Sequence, residues 1–106
     1  MKIDEYLNLL RVVYVMADWG KPGDYKIGCT SNFTRRYQSS ASCKKAVCLL
    51  PVPEGMNIYM AERLVHEFFR DKNIYAECFS LSEYDLEILG RMRITHEGIK
   101  LNPHGD

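Results

Sequence analysis

The chain has 106 residues, enough for one domain with a single hydrophobic core, and its 46% hydrophobic content is ordinary for a globular protein. Fourteen basic and fourteen acidic residues give a formal net charge of zero, which argues against a strong binder of polyanions. No apolar run is long enough to cross a membrane, and residues 1–5 lack the basic-then-apolar order of a signal peptide. We therefore expect an intracellular, cytoplasmic protein with no membrane partner.

The first predicted elements form a hairpin. Residues 11–17 and 25–30 are rich in β-branched and aromatic residues, and they flank the turn-forming segment 18–24. The short loop between the two strands favours antiparallel pairing. Gly28 falls near the end of the second strand, where a missing side chain lets another group approach the backbone. Two short helices are predicted on either side of this hairpin, at residues 3–10 and 33–39.

A third strand and two longer helices follow. The unbroken apolar run at 46–50 predicts a strand that is buried on both faces. Residues 57–71 predict the longest helix, with Asn57 as its cap, and Ser82 caps a last helix at 83–93. The first of these helices has an apolar stripe made of Met60, Leu64, Val65, Phe68 and Phe69.

The remaining segments complete the predicted fold. Residues 75–81 are extended and form either a short edge strand or an ordered loop, and the polar segment 95–106 is expected to be a tail. The prediction is therefore an α/β (α+β) domain over residues 1–94, built on a small three-stranded, largely antiparallel sheet flanked by helices.

Charge and cysteine patterns give weaker indications of function. Residues 1–50 carry eight Lys and Arg against four Asp and Glu, whereas residues 51–106 carry six against ten. A basic half suits a phosphate-facing surface, with Arg35, Lys44 and Lys45 as nucleic-acid contacts, although chance can also produce such a split in a short chain. The four cysteines fit no common zinc signature, so free thiols are expected: Cys29, Cys43, Cys48 and Cys78.

The hairpin carries two motifs that resemble those of the GIY-YIG nuclease superfamily. Val13-Tyr14-Val15 stands where that family has its first motif, and Lys26-Ile27-Gly28 stands where it has its second. The sequence Tyr-Lys-Ile-Gly at 25–28 is similar to the variant found in the small phage- and virus-associated branch of the superfamily.

The resemblance continues downstream and covers roughly residues 12–81. That branch has a helix with a glutamate and, four residues later, a histidine, which correspond here to Glu62 and His66. It then has a small residue followed by glutamate and, two positions on, phenylalanine, which corresponds to residues 76–79. From spacing alone, Glu62 and His66 are more typical of a solvated i,i+4 pair on an amphipathic helix, and the upstream motifs are what favour a functional pair.

Phosphodiester hydrolysis needs an activated water, a base, positive charge at the phosphate and help for the leaving oxygen. The resemblance implies that Glu62 binds Mg²⁺ or Mn²⁺, and Mg²⁺ accepts a single carboxylate because it keeps most of its waters. It implies that Arg36, eight residues after Gly28, faces the scissile phosphate. Tyr14 and Lys26 would position and deprotonate the water, and His66 would assist proton transfer.

Two positions are implied to support the site, and two depart from the family pattern. Gly28 and Glu77 would support the catalytic groups, although Glu77 is equally typical of a surface charge on an edge strand. Lys26 stands where the wider family has a second tyrosine, and Ser40 stands where many members have a histidine. A lysine offers a phosphate contact but does not replace a phenol hydrogen bond.

These observations predict a metal-dependent endonuclease that acts on DNA. The two departures keep an alternative open, namely a catalytically weak or inactive nucleic-acid-binding module of the same fold. A small interaction domain, in which the motifs only build the core, is a third interpretation. A nuclease of this size usually takes its specificity from a separate domain, so a homodimer or a specificity partner is expected, and the choice between DNA and RNA stays open.

Overall fold

Two seven-residue strands joined by a turn form the centre of the fold. In the computed structural model, which describes residues 11–18, 21–33 and 44–103, β1 covers Val12–Asp18 and β2 covers Asp24–Thr30. The two strands pair antiparallel. The predicted hairpin is therefore confirmed.

Several predicted features lie outside the described residues. They are the helix at 3–10, all but the first residue of the helix at 33–39, and the side chains of Arg35, Arg36, Ser40 and Cys43.

The third strand is less buried than its sequence predicts. β3 covers Lys44–Pro51, pairs antiparallel with β1, and stands first in the strand order β3-β1-β2-β5-β4 of the described sheet. Its register shifts between Val15 and Met16 of β1, so Val47 is an extra residue, and 43% of its surface is exposed. The prediction of a strand buried on both faces is wrong, because the bulge turns one of its apolar residues outward.

Two very short strands extend the sheet beyond the predicted three. β4 covers Asn73–Tyr75 and β5 covers Cys78–Ser80, and β5 pairs antiparallel with β2. Residues 75–81 therefore contribute to strands and a turn. The predicted α+β class with an antiparallel sheet is confirmed, and the sheet has five strands.

Both predicted helix caps are confirmed. Helix α1 covers Ile58–Phe68, and the Asn57 side chain accepts hydrogen bonds from two amides of its first turn. Helix α2 covers Glu83–Arg91 and begins at Ser82 with a reciprocal capping box. A 3₁₀ turn, Arg70–Lys72, follows α1. No helix in the described part of the chain combines the length and hydropathy of a membrane span.

The inner face of α1 differs from the predicted stripe. Ala61 and Val65 are its buried residues, and Phe69 after its end is also buried. Met60 is 57% exposed and Phe68 is 40% exposed, so their assignment to the buried stripe is wrong. Ala61 and Val65 are four residues apart and share the helix face that packs in the core, and Met60 and Phe68 lie outside that face.

The polar segment from Thr95 onward is not simply a tail. The last helix ends at Arg91, two residues earlier than predicted. It is followed by β6, Met92–Thr95, which pairs with β7, Gly98–Leu101, in a two-stranded hairpin. Buried Met92 and Ile94 attach this hairpin to the core. The predicted tail boundary at residue 95 is therefore corrected, because alternation of buried and exposed residues continues past α2.

The sheet packs two separate hydrophobic clusters against its opposite faces, since alternate strand residues point to opposite sides. Val13 and Val15 of β1 belong to the cluster that includes Val65 of α1. The intervening Tyr14 belongs to a smaller cluster on the other face, together with Val12, Met16 and Phe33. Tyr14 therefore lies on the face that α1 does not cover.

Candidate active site

The β1–β2 register places three of the predicted site residues on one face. Tyr14 pairs directly with Gly28, and Met16 pairs with Lys26. Directly opposed residues of an antiparallel pair share a face, so Tyr14, Gly28 and Lys26 lie together. The Lys26 ammonium lies 5.8 Å from the centre of the Tyr14 ring, within cation–π range. Only 1% of Tyr14 is exposed, so its ring position is fixed by packing.

Gly28 lets two oxygen-bearing side chains come together. A Cβ atom at this position would lie 2.5 Å from Tyr14 Oη and 2.9 Å from Glu77 Oε2. The hydroxyl and the carboxylate therefore converge over a backbone that has no side chain of its own. The main-chain N–H of Ile27 also donates to the carbonyl oxygen of Glu77 at 2.9 Å, which anchors the segment carrying the carboxylate.

The turn that carries Glu77 is strained and braced. Ala76 has a φ of 46°, and it is the only non-glycine residue in the described ranges with a positive φ. Such a conformation costs roughly 1–2 kcal/mol for an L-residue. The Asn73 side-chain amide donates to the carbonyls of Ala76 and Cys78, at 3.0 and 3.1 Å. Phe79, 1% exposed, anchors the end of the turn in the core, so the main chain at Glu77 is held on both sides.

Glu62 and His66 approach β2 from the other face of the sheet. His66 Nε2 lies 2.8 Å from the carbonyl oxygen of Ile27, and its ring packs on Phe79 with the centroids 4.9 Å apart. A carbonyl only accepts, so Nε2 carries a proton, and Nδ1 is the nitrogen left to accept one. Glu62 Oε1 lies 3.8 Å from the same Nε2. The two side chains are about one quarter exposed, at 21% and 24%.

Ile27 joins the two groups of residues. Its N–H binds the Glu77 segment and its carbonyl binds His66, so both sides of the candidate site contact one residue of the second motif. An open groove of about 480 Å³ contains Glu62 and His66, and a smaller pocket of about 220 Å³ contains Lys26 and Glu77. Ala76 borders both cavities. The predicted residues therefore surround one edge of β2 in two groups.

The donor set fits a weakly held, largely hydrated divalent cation. Glu62 offers a carboxylate in an open groove, and no set of three or more His, Cys, Asp and Glu side chains in the described residues is arranged to hold a metal. Tight zinc or calcium sites require several such ligands. Magnesium is commonly held through one or two carboxylates while it keeps several waters. Glu62 is the residue that would hold it.

The structure does not bring every predicted residue to this place. Lys45 is exposed and pairs with Ala17, so it lies on the face opposite Tyr14 and Lys26. Lys44 begins β3, opposite Asp18 in the register. Arg35 and Arg36 belong to the undescribed segment 34–43.

Sequence inspection missed several residues that line the two cavities. Arg63 and Arg70 lie in the groove beside Glu62, and the aromatic residues Tyr59 and Tyr75 border the groove and the pocket. The seven-residue spacing of Arg63 and Arg70 equals two helical turns and was a usable signal. No comparable signal exists for Tyr75, because its position depends on the pairing of two three-residue strands.

The prediction that the cysteines form no disulfide is confirmed for the described part of the chain. Cys29, Cys48 and Cys78 are thiols that lie on three different strands. Burial raises the pKa of the Cys48 thiol to about 11, and its Sγ donates to the Leu89 carbonyl at 3.6 Å. Cys48 is therefore a structural residue without nucleophilic character near neutral pH.

A family model of the T5orf172 domain, a phage-associated domain related to GIY-YIG-like nuclease folds, matches residues 11–91. This range begins one residue before β1, ends with α2, and includes both cavities. No curated protein and no solved structure gives a significant match.

Proposed function

Because the chain belongs to the T5orf172 domain family, we propose that it is a metal-dependent endonuclease that hydrolyses DNA phosphodiester bonds by a GIY-YIG-like mechanism. One observation carries this proposal: Tyr14 Oη and the Glu77 carboxylate converge over Gly28, beside Lys26. A buried phenol, a carboxylate and an ammonium group in one place are suited to water activation next to a phosphate.

In this proposal the scissile phosphate lies at the edge of β2, next to Ile27. Tyr14 Oη holds the attacking water and takes its proton, and Glu77 is the neighbouring carboxylate that accepts the phenol proton in turn. The Lys26 ammonium binds a non-bridging phosphate oxygen. Arg36, eight residues after Gly28, supplies the charge that stabilises the pentavalent transition state.

The α1 side of the site serves the leaving group. Glu62 would hold Mg²⁺ or Mn²⁺, which when bound neutralises charge on the phosphate. His66 is oriented by its Nε2–H hydrogen bond to the Ile27 carbonyl, so a second proton on this ring is carried by Nδ1. The oxygen–phosphorus bond to the leaving nucleotide breaks as the bond to water forms. The leaving oxygen takes the Nδ1 proton of the imidazolium, which leaves His66 as the neutral ring with Nε2–H.

A nucleic-acid-binding module without cleavage is the second candidate, and two observations favour it. Tyr14 is only 1% exposed and lines neither of the two cavities, so water reaches its hydroxyl group only if the groups packed around it move. Glu62 approaches that edge from the opposite face, so both groups act on one phosphate only if the substrate crosses the edge. In this alternative, Lys26 and the groove arginines bind phosphates without hydrolysis.

A nicking assay on supercoiled plasmid tests the proposal. The wild type should nick in Mg²⁺ or Mn²⁺ and not in EDTA, and both Glu62→Gln and Arg36→Ala should lose activity. Glu87→Gln is the matched control, because Glu87 is an exposed glutamate on α2 outside both cavities. Salt-sensitive DNA binding by a folded protein that nicks with neither metal would exclude the nuclease and establish the binding module.

A further inference from the structure

Tyr75 belongs to β4 through its main chain, but its large aromatic side chain is 63% exposed. Among the described residues this side chain makes no hydrogen bond and no ring contact. A single exposed aromatic residue is ordinary in itself. Tyr75, however, directly precedes the strained residue Ala76 and borders the pocket that contains Lys26 and Glu77. Strained backbone conformations cluster at ligand-binding and active sites, so the exposed Tyr75 ring is a candidate ligand contact.

The strand register fixes the relation between Tyr75 and Lys26. Lys26 of β2 pairs with Cys78 of β5, and Cys78 pairs with Tyr75 of β4. These three residues therefore form a row across the sheet on the face that also carries Tyr14. Adjacent strands lie roughly 4.8 Å apart, so the backbones of Lys26 and Tyr75 are about 10 Å apart. One side of the pocket is a cation and the other is an aromatic ring.

The space between them suits a flat, uncharged ring. The pocket has a volume of about 220 Å³, and Met16, Ala17 and Cys78 form apolar parts of its wall. Met16 is 1% exposed, so this wall is backed by the cluster that contains Tyr14. Glu77 borders the same pocket, and its carboxylate also reaches the Tyr14 hydroxyl group over Gly28. A ligand in this pocket would therefore lie directly beside the proposed reacting groups.

We propose that this pocket binds one unstacked base of the nucleic-acid substrate, with the Tyr75 ring stacked on the base and Lys26 on an adjacent phosphate. A base within an intact duplex has both faces covered by its neighbours, so it cannot stack on Tyr75 unless it leaves the helix. The substrate class is therefore DNA with an unpaired or readily extruded base near the cleaved bond. This inference rests on the proposed function in taking DNA as the ligand and in placing the base near the cleaved bond.

Binding measured in EDTA tests the pocket separately from cleavage. Fluorescence anisotropy would compare a labelled single strand, a duplex with one unpaired base, and the fully paired duplex, each with the full-length protein. Stacking of a base on an aromatic side chain is worth about 5- to 150-fold in affinity. Tyr75→Ala should weaken binding of the first two DNAs by about that factor and leave the paired duplex unchanged, whereas Tyr75→Phe should bind like the wild type.

Two further variants separate stacking from other effects of the substitution. Tyr75→Leu keeps an apolar side chain without a flat ring, so it should lose affinity as Tyr75→Ala does. Tyr84→Ala is the matched control, because Tyr84 is a 66% exposed tyrosine on α2 that borders neither cavity. It should bind all three DNAs like the wild type.

The outcomes distinguish this inference from the proposed activity. Unchanged affinity of folded Tyr75→Ala and Tyr75→Leu for unpaired DNA would overturn the base pocket, even if the wild type nicks plasmid. An equal loss of affinity for all three DNAs would also overturn it, since that pattern indicates a general surface contact. A Tyr75-dependent preference for unpaired bases without nicking would support the pocket while excluding the nuclease.

Discussion

Replacing Gly28 with alanine should damage both stability and activity through one steric contact. The new Cβ atom would lie 2.5 Å from Tyr14 Oη, 2.7 Å from Tyr14 Cζ and 2.9 Å from Glu77 Oε2. Gly28 does not have a positive φ, so the backbone itself accepts alanine. The cost is therefore overpacking alone, because an ordinary contact of 3.4 Å requires the Tyr14 hydroxyl group to move by roughly 0.9 Å.

The size of the effect depends on what can move. The Glu77 carboxylate can rotate away, but the Tyr14 ring is 1% exposed and packed near Phe33, with the ring centroids 6.2 Å apart. Overpacking of this kind costs about 1–3 kcal/mol of the free energy of unfolding. A displacement near 1 Å of a catalytic group reduces a rate by about 100-fold, so nicking should fall much further than stability. Urea denaturation and plasmid nicking measure the two quantities.

Gly90→Ala provides the control for adding the same methyl group elsewhere. Gly90 is exposed on α2, and a Cβ there meets no atom within 4 Å. Alanine favours the helix by about 0.5–1 kcal/mol over glycine, so this variant should be slightly more stable and fully active. Wild-type stability and wild-type nicking in Gly28→Ala would refute the steric account and remove the main observation behind the proposed chemistry.

Three further expectations concern the stability and chemical reactivity of individual side chains. His66→Ala should lower the free energy of unfolding by about 1–3 kcal/mol in urea denaturation, because the part-buried carbonyl of Ile27 loses its donor. The pKa of Asp85 is lowered: burial opposes this shift, but hydrogen bonds at the helix cap and the Lys72 ammonium at 3.3 Å outweigh it. Asp85→Asn should therefore lose about 1 kcal/mol at pH 7. The stability difference between the wild type and Asp85→Asn should shrink as the pH falls below the ordinary aspartate range and through the lowered pKa. Thermal melts across pH measure this difference. A difference that stays the same at acid pH would contradict the assignment. Since the pKa of Cys48 is about 11, its thiol should resist iodoacetamide at pH 8 until the protein unfolds, as mass spectrometry can measure.

The features that the sequence predicts well are those set by neighbouring residues. The β-branched and aromatic residues of β1 and β2, with turn-forming residues between them, predict an antiparallel hairpin. The caps at Asn57 and Ser82 depend only on a polar side chain and the amides of the following turn. Both kinds of prediction are confirmed, because the physical cause lies within a few residues of the effect.

The features that the sequence predicts poorly depend on packing between distant segments. A helical wheel favours Met60 and Phe68 for the buried face of α1, yet Ala61 and Val65 are the residues of the helix that are buried. Val47 belongs to an apolar run and is exposed because its strand has one residue more than its partner. Neither result can be derived from periodicity, since each depends on how a second element fits against the first.

The contacts of Ile27, which connect the two groups of residues in the candidate site, also depend on packing between distant segments. His66 is visible in the sequence as a residue one turn after Glu62, but its hydrogen-bond partner is a main-chain carbonyl, and every residue carries one. The carbonyl of Ile27 is the partner of His66 because the β2–β5 ladder ends at the neighbouring residue, Lys26. Its N–H still reaches the Glu77 carbonyl, whereas its own carbonyl is left for a side chain from α1. The motif residues Lys26 and Gly28 on either side of Ile27 are therefore held beside the Glu77 segment and the His66 ring by main-chain groups.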